Sequence, residues 1–131
     1  VQTCALPIYL GYTVYVVGET ITPALREGDL LVGVSGSGKS ISVIDAARKA
    51  KEKKGVVIAV TSKKESTLAG YADQVLIIPG TVKGDTGESR GSIQLLSSLF
   101  DQSLHIVLDA VCLIISYRDD TANESATGAH W

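Results

Sequence analysis

The sequence predicts an α/β fold built on a mostly parallel sheet, and a few observations support this class. Segments rich in β-branched residues alternate along the chain with segments of helical periodicity. Residues 56–60 form a continuous apolar run, which is typical of a strand buried on both faces of a parallel sheet. A Gly- and Ser-rich loop directly follows another apolar run, residues 30–32. Because parallel sheets bind ligands at the carboxyl ends of their strands, this loop lies where a site is expected.

Periodicity and the punctuating residues place the individual elements. Strands are predicted at 12–17 (YTVYVV), 29–34 (DLLVGV), 56–60 (VVIAV) and 74–78 (QVLII). A helix is predicted over 38–54, because apolar residues recur at spacing three and lysines crowd its last turn before Gly55. Ser66 is a suitable cap for a short helix over 67–72. A wide apolar stripe from Leu96 to Ile115 predicts a further, longer helix.

Length and composition exclude several classes of protein. The 131 residues suffice for one domain with one core, and a formal charge of −2 without a basic stripe argues against nucleic acid as a partner. The apolar stretch 104–115, interrupted by His105 and Asp109, is too short and too polar for a membrane span. Cys4 and Cys112 form no CxxC or Cys/His cluster. We therefore expect neither a disulfide framework nor a zinc site, and a cytoplasmic location.

The first eight residues, VQTCALPI, match the translated end of a widely used sequencing adapter. We expect residues 1–8 to be an artefact outside the fold, the alternative being a coincidental N-terminal peptide. On this interpretation the natural protein begins earlier, and residues 9–131 are a partial domain.

The run GVSGSGKS, residues 33–40, fits the pattern G-x-x-x-x-G-K-[ST] of nucleotide-hydrolysing phosphate loops. Such a hydrolase also needs a separate apolar strand that ends in Asp and helps to hold magnesium. The candidate, HIVLD, places Asp109 inside the long helical stripe, and the strand 56–60 is followed by Thr61 and Ser62. A nucleotide hydrolase is therefore the less favoured interpretation.

The same loop is suited to a sugar phosphate. Backbone N–H groups at Gly36, Ser37 and Gly38 open a helix whose positive end favours an anion. The hydroxyls of Ser35, Ser37 and Ser40 add donors for a phosphate monoester and need no magnesium. The alternative is a turn that caps the helix and binds nothing.

Several segments resemble one family. SGSGKS, VIAVTS and VLIIPG are similar to the sugar isomerase (SIS) domain, and GETITP (18–23) with SSLFDQSLHIVLDAV (97–111) resembles the 6-phospho-3-hexuloisomerases. The resemblance runs from about Leu10 to the end of the chain. It implies a three-layer sandwich with a mostly parallel, flavodoxin-like sheet flanked by helices. Family members have an additional strand upstream of the region matched here. In the order of strands within the sheet, it lies between the strands predicted at 12–17 and 29–34, and nothing in this sequence matches it.

The resemblance also implies an activity. Family members interconvert 3-hexulose 6-phosphate and fructose 6-phosphate through an enediol, in the ribulose monophosphate pathway, where the reaction serves either to assimilate formaldehyde or to make pentoses. A metal is optional for this chemistry, and we expect neither a metal nor a cofactor. The positions that would hold the substrate phosphate are Ser35, Gly36, Ser37 and Ser40. Lys39 and Ser40 replace the last pair of the family's usual SGSGET, and Lys39 adds a positive charge beside the phosphate.

Two residues are the catalytic candidates. Asp101 stands where the family has a Glu that is the expected base, and it is shorter by one methylene. His130 matches a histidine near the C-terminus that reaches a neighbouring subunit's site. Asp101 has the alternative role of a carboxylate at a helix start, and His130 that of a solvated tail residue.

The apolar stripe of the last helix exceeds what one small domain buries, so we expect a homodimer or homotetramer. Without the first central strand, the chain as written is expected to be inactive and poorly stable. A non-catalytic sugar-phosphate sensor with the same fold remains an alternative; it would keep the serine loop and dispense with Asp101 and His130.

Overall fold

A computed structural model describes residues 7–82, 85–86, 92–120 and 123–128. Its elements are β1 (Leu30–Val34), α1 (Ile41–Glu52), β2 (Val56–Thr61), α2 (Thr67–Tyr71), β3 (Gln74–Ile77), α3 (Ser98–Arg118) and α4 (Asn123–Gly128). The chain divides into two compact units, one of Pro23–Ser103 and one of Val1–Thr22 with Leu104–Trp131. From β1 to α3, strands and helices alternate as the sequence predicts, and their boundaries agree to within a few residues.

The unit Pro23–Ser103 contains a parallel three-stranded sheet in the order β1-β2-β3. Val32 of β1 lies opposite Ile58 of β2, and Val60 of β2 lies opposite Leu76 of β3. The predicted α/β class, with a parallel sheet flanked by helices, is confirmed.

One face of this sheet forms the core. Leu31, Val57 and Ala59 point to the same side and pack against α1 and α2. The small side chains of Ala47 and Ala50, on the inner stripe of α1, let that helix lie close to the sheet. In β1 the residues that alternate with the buried ones are apolar but solvent-accessible, with Leu30 55% and Val32 46% exposed. The opposite face of β2 is in part buried, because Val60 is only 1% exposed.

Asp73 ties the amino end of the sheet to the last turn of α1. Its carboxylate accepts hydrogen bonds from Lys51 Nζ at 2.6 Å and from the Val57 N–H at 2.8 Å. The Lys51 ammonium, and after it the Val57 N–H, lowers the pKa of the Asp73 carboxyl below its ordinary value. The ionised carboxylate thus links the ends of α1 and α2 to the start of β2.

The strand predicted at 12–17 is wrong: residues 12–16 have no strand conformation, and the chain turns from residue 17. The turn is closed by the Glu19 N–H on the Val16 carbonyl and by the Thr22 hydroxyl on the same oxygen. The YTVYVV segment has the side chains of a strand, but a strand also requires a neighbour that pairs with its backbone. β-Propensity alone did not reveal that the described sheet consists of the three later strands.

The helix α3 extends beyond the predicted apolar stripe and has 21 residues with a mean hydropathy of 1.6 in its most apolar window. By length and composition it could cross a membrane, and the sequence argument against a span considered residues 104–115 alone. One such helix is weak evidence, because helices of soluble proteins meet the same criterion. Its apolar side chains are largely exposed, Ile106, Ile114 and Tyr117 among them.

Candidate functional site

The predicted phosphate loop joins the carboxyl end of β1 to α1. Ser35 is only 6% exposed, and its N–H donates to the Val60 carbonyl of the neighbouring strand at 2.9 Å. The Ser35 hydroxyl lies 2.8 Å from the Ser40 hydroxyl, so the two ends of the loop are joined by a hydrogen bond. The predicted site residues Ser35 and Ser40 are therefore brought together, with Gly36 and Ser37 between them.

One of the predicted backbone donors is used within the loop itself. The Gly38 N–H donates to the Ser35 carbonyl at 3.0 Å, and Gly38 has a φ of +64°, which favours glycine. The expectation that the Gly38 N–H faces an anion is therefore wrong, because forming the tight turn takes that donor. Ser37 accepts a bond from the Lys39 N–H at 3.3 Å, and Lys39 itself is exposed beside the loop.

The start of α1 lacks the usual side-chain cap. Ser40 occupies the N-cap position with extended backbone angles, yet its side chain makes no capping hydrogen bond, because the hydroxyl is directed to Ser35. The first turn carries no acidic residue, and the helical ladder begins with the Ile44 N–H on the Ser40 carbonyl. The first N–H groups of a helix need external acceptors, and together with the helix dipole they favour an anion.

The Gly36 carbonyl is held from outside the loop. It accepts hydrogen bonds from the Thr61 hydroxyl at 3.1 Å, the Ser62 hydroxyl at 2.8 Å and the Ser62 N–H at 3.0 Å. Thr61 is fully buried at the end of β2. The sequence analysis placed Thr61 and Ser62 in the family-like segment VIAVTS and noted that they are not carboxylates, but it assigned them no role in the site. The available signal was their position at the end of the next apolar run.

The start of α2 contacts the same loop. A Cβ on Gly38 would lie 2.2 Å from Ser66 Oγ, and the Leu68 N–H donates to the Gly38 carbonyl at 3.0 Å. Ser66 Oγ accepts from the Ala69 N–H at 3.3 Å, which confirms the predicted cap of this short helix. The left-handed turn at Gly38 therefore fits directly against a capped helix start.

The start of α3 also reaches the phosphate loop. Phe100 is 3% exposed, and a Cβ on Gly80 would lie 2.6 Å from its Cβ. A Cβ on Gly36 would lie 3.3 Å from the Phe100 ring, so the ring of this residue faces the loop after β1 while its backbone and Cβ contact the loop after β3. Asp101 is the next residue, exposed in the first turn of α3. His130, its predicted catalytic partner, lies outside the described residues.

An ion pair links the loops that follow β2 and β3. Lys63 Nζ lies 3.4 Å from the Asp85 carboxylate, which also accepts from the Val82 N–H at 3.1 Å. The Val82 N–H, followed by Lys63, lowers the pKa of Asp85 below its ordinary value. A methyl group on Gly36 would also meet Val82 at 3.1 Å, so this bridge borders the phosphate loop.

Asp109, the magnesium candidate of the nucleotide-hydrolase interpretation, lies in the middle of α3 and not at the end of a strand. The strands themselves end in Val34, Thr61 and Ile77. Over the ranges that the structure describes, no cluster of three or more His, Cys, Asp or Glu side chains is arranged to hold a metal ion. The described strand ends therefore do not supply the carboxylate that this interpretation requires.

Known proteins are similar to this chain in sequence and in fold. A protein from Bacillus subtilis named 3-hexulose-6-phosphate isomerase is 37% identical over 94% of this chain and 66% of its own length. An enzyme of the same name from Mycobacterium gastri is 45% identical over 79% of this chain and 52% of its own length. A hypothetical protein from Methanococcus jannaschii, whose crystal structure led to the same inferred function, has a TM-score of 0.81 at 26% identity. That match covers 99% of this chain and 68% of that protein.

A regulator also matches: an uncharacterized HTH-type transcriptional regulator from Thermotoga maritima is 36% identical over 74% of this chain and 32% of its own length.

The chain spans about half to two thirds of the length of the two isomerases. The SIS domain model matches residues 9–106. That match covers the parallel sheet, the serine loop and the start of α3, and the chain therefore belongs to the SIS domain family.

Proposed function

We propose that this chain carries the sugar-phosphate site of a 6-phospho-3-hexuloisomerase. The observation that carries the proposal is the uncapped start of α1, where Ser40 bonds to Ser35 and leaves the first helical N–H groups to an external acceptor. The similarity to proteins named 3-hexulose-6-phosphate isomerase supports a sugar-phosphate isomerase. Assignment to the ribulose monophosphate pathway is part of the proposal.

The substrate phosphate binds at the start of α1. The hydroxyls of Ser35, Ser37 and Ser40 and the loop amides of Gly36 and Ser37 donate hydrogen bonds to its oxygens. The Ser35–Ser40 hydrogen bond holds two of these hydroxyls close together before the ligand arrives. The helix start and the exposed Lys39 supply positive potential for the phosphate, and the proposed enediol chemistry uses no cofactor.

The reaction moves a carbonyl from C3 to C2 of the sugar. Asp101 removes the proton on C2 of the 3-ketose, and the electrons of that bond form the enediol while the C3 oxygen takes up a proton. Return of a proton to C3 and loss of the proton on O2 give the 2-ketose. The packing of Phe100 against the loop at Gly36 supports this role, because Asp101 is the next residue along α3. His130 would serve as the group that moves protons between the oxygens.

The exposed apolar side of α3 supports a homodimer or homotetramer, and the metabolic relatives support a cytoplasmic enzyme. The 131-residue chain by itself is expected to be inactive and poorly stable. Within the described ranges β1 is an edge strand, although its sequence is that of a strand buried on both faces.

The test uses the longest reading frame that contains this chain. Asp101→Asn should lower the rate of isomerisation by about 100-fold or more while the affinity for fructose 6-phosphate stays within about threefold, because a base acts in the chemical step. Asp109→Asn, on the same helix, is the matched control and should retain its rate. Full activity of Asp101→Asn would overturn the assignment of the base.

A non-catalytic sugar-phosphate sensor is the second candidate, favoured by the similarity to the HTH-type regulator. It predicts binding of fructose 6-phosphate without any turnover, whereas a nucleotide hydrolase would bind Mg-ATP and ignore the sugar. Titration with both ligands, followed by a turnover assay, separates the three functions.

A further inference from the structure

The Gly36 carbonyl has more donors than a carbonyl in a loop requires. The hydroxyls of Thr61 and Ser62 and the N–H of Ser62 all point to this oxygen, which has two lone pairs. The N–H and the hydroxyl of Ser62 are already enough to occupy both lone pairs of the Gly36 oxygen. The Thr61 hydroxyl also accepts a bond from the Lys63 N–H at 3.2 Å, so its orientation is fixed from two sides. We call Thr61 and Ser62 the carbonyl clamp.

The clamp determines where the next amide points. In a trans peptide the C=O and N–H bonds are antiparallel, and the described residues contain no cis peptide bond. Because the Gly36 carbonyl is drawn to the end of β2, the N–H of Ser37 must point in the opposite direction. No backbone carbonyl of the described ranges accepts a hydrogen bond from that N–H.

The same orientation removes a repulsive dipole from the anion side of the loop. If this peptide rotated by half a turn, the Gly36 carbonyl oxygen would replace the Ser37 N–H as the group presented to the ligand. The negative end of a carbonyl dipole repels a phosphate dianion, whereas an amide N–H attracts it. Gly36 makes such rotation easy, since a glycine resists few backbone conformations.

We infer that Thr61 and Ser62 are positioning residues, which hold the Gly36–Ser37 peptide in the orientation that binds the phosphate of the substrate. This inference rests on the proposed function, because it assigns the phosphate to this loop. It assigns part of the loop's affinity to hydroxyls on a different strand, neither of which needs to contact the ligand.

The experiment compares hydroxyl deletions with a variant that keeps the hydroxyl. In the longest reading frame containing this chain, Thr61→Val with Ser62→Ala should weaken binding of both fructose 6-phosphate and inorganic phosphate about 10- to 100-fold in calorimetric titrations. Thr61→Ser keeps the donor and should bind within about twofold of the parent. In the unliganded double variant, the NMR order parameters of the Gly36 to Gly38 amides should fall toward ~0.6.

A second control separates positioning from loss of stability. Val57→Ala removes buried volume from the same strand, at a residue on the opposite end from the loop, and so destabilises the protein by a cavity. At a temperature where both variants are folded, Val57→Ala should bind phosphate normally, whereas the double variant should not.

The outcomes distinguish the two proposals. If the parent binds sugar phosphate and the double variant binds it equally well, the carbonyl clamp is refuted and the proposed function stands. If Val57→Ala weakens binding as much as the double variant does, the clamp is also refuted, because stability alone explains the effect. If the parent binds no phosphate, both proposals fail.

Discussion

The starts of α1 and α2 lie side by side after two neighbouring strands. Each has a serine at its N-cap position, but the side chains of the two serines make different hydrogen bonds. Ser66 caps α2 in the usual way, by accepting the Ala69 N–H. Ser40 occupies the same position on α1, but its hydroxyl bonds to Ser35 and leaves the first turn uncapped. A serine at a helix start therefore does not by itself indicate a structural cap.

The difference assigns separate roles to the two helix starts, structural support to α2 and ligand binding to α1. The capped start of α2 satisfies its own donors and supports the turn at Gly38. The uncapped start of α1 gives up that local stabilisation, typically about 1 kcal/mol, and keeps its donors for a ligand. Substitutions at the two starts should consequently affect different quantities, stability for α2 and affinity for α1.

The largest effect is expected at the contact between the two starts. Gly38→Ala combines a left-handed backbone with a Cβ only 2.2 Å from Ser66 Oγ. We expect it to lower the free energy of unfolding by about 3 kcal/mol and to abolish measurable binding of fructose 6-phosphate. Gly70→Ala is the matched control, because that glycine lies within α2 with open space around it and should tolerate the change. Urea denaturation measures the free energy of unfolding, and calorimetry measures the binding of fructose 6-phosphate. Normal binding by Gly38→Ala would contradict the geometry of this loop.

Removal of the conventional cap should be the next largest effect. Ser66→Ala leaves the Ala69 N–H without its acceptor and should lower the free energy of unfolding by about 1 kcal/mol. The affinity for fructose 6-phosphate should change by less than about twofold, because this hydroxyl serves its own helix. A large loss of affinity with unchanged stability would erase the contrast between the two starts.

Ser40→Ala should show the reverse behaviour. Because the Ser40 side chain caps nothing, the free energy of unfolding should change by less than about 0.5 kcal/mol. The affinity for fructose 6-phosphate should fall about 2- to 10-fold, since one donor to the phosphate is lost. Equal stability loss in Ser40→Ala and Ser66→Ala, measured by the same denaturation, would show that both serines act as caps.

The smallest effect is a pH dependence of stability at Asp73, which lies at the carboxyl ends of α1 and α2. Since Lys51 and the Val57 N–H lower the pKa of Asp73 in the folded chain, its stabilising contribution is present above the unfolded pKa. That contribution is lost as the pH falls through the folded pKa. Asp73→Asn should therefore destabilise the protein at about pH 7, and its difference from the parent should shrink as the pH falls below about 4. A difference that stays constant across this range would exclude the carboxylate as its source.

Most of the fold could be predicted from the sequence because its signals are local. The apolar runs at β1, β2 and β3, and the lysines and glycine that end α1, each identify an element without knowledge of its neighbours. Residues 12–17 show where this fails. Their β-branched side chains resemble those of β2, but strand formation depends on a pairing partner that local sequence does not specify.

The site could be predicted in part for the same reason. The spacing of Ser35 and Ser40 around two glycines is contiguous and visible, whereas the carbonyl clamp joins residues some 25 positions apart. The sequence also gave no indication that Ser40 would bond to Ser35 instead of capping α1. Hydroxyls accept and donate in many directions, so their partners emerge only from the packed structure.

The accessible leucine and valine side chains of β1 have a practical consequence for handling this polypeptide. Because these apolar side chains are open to solvent, the polypeptide should bind the dye ANS, adhere to phenyl-substituted chromatography resin and self-associate as it is concentrated. Sulfate and other excluded salts should aggravate the precipitation, and a soluble preparation is best kept dilute and at low ionic strength.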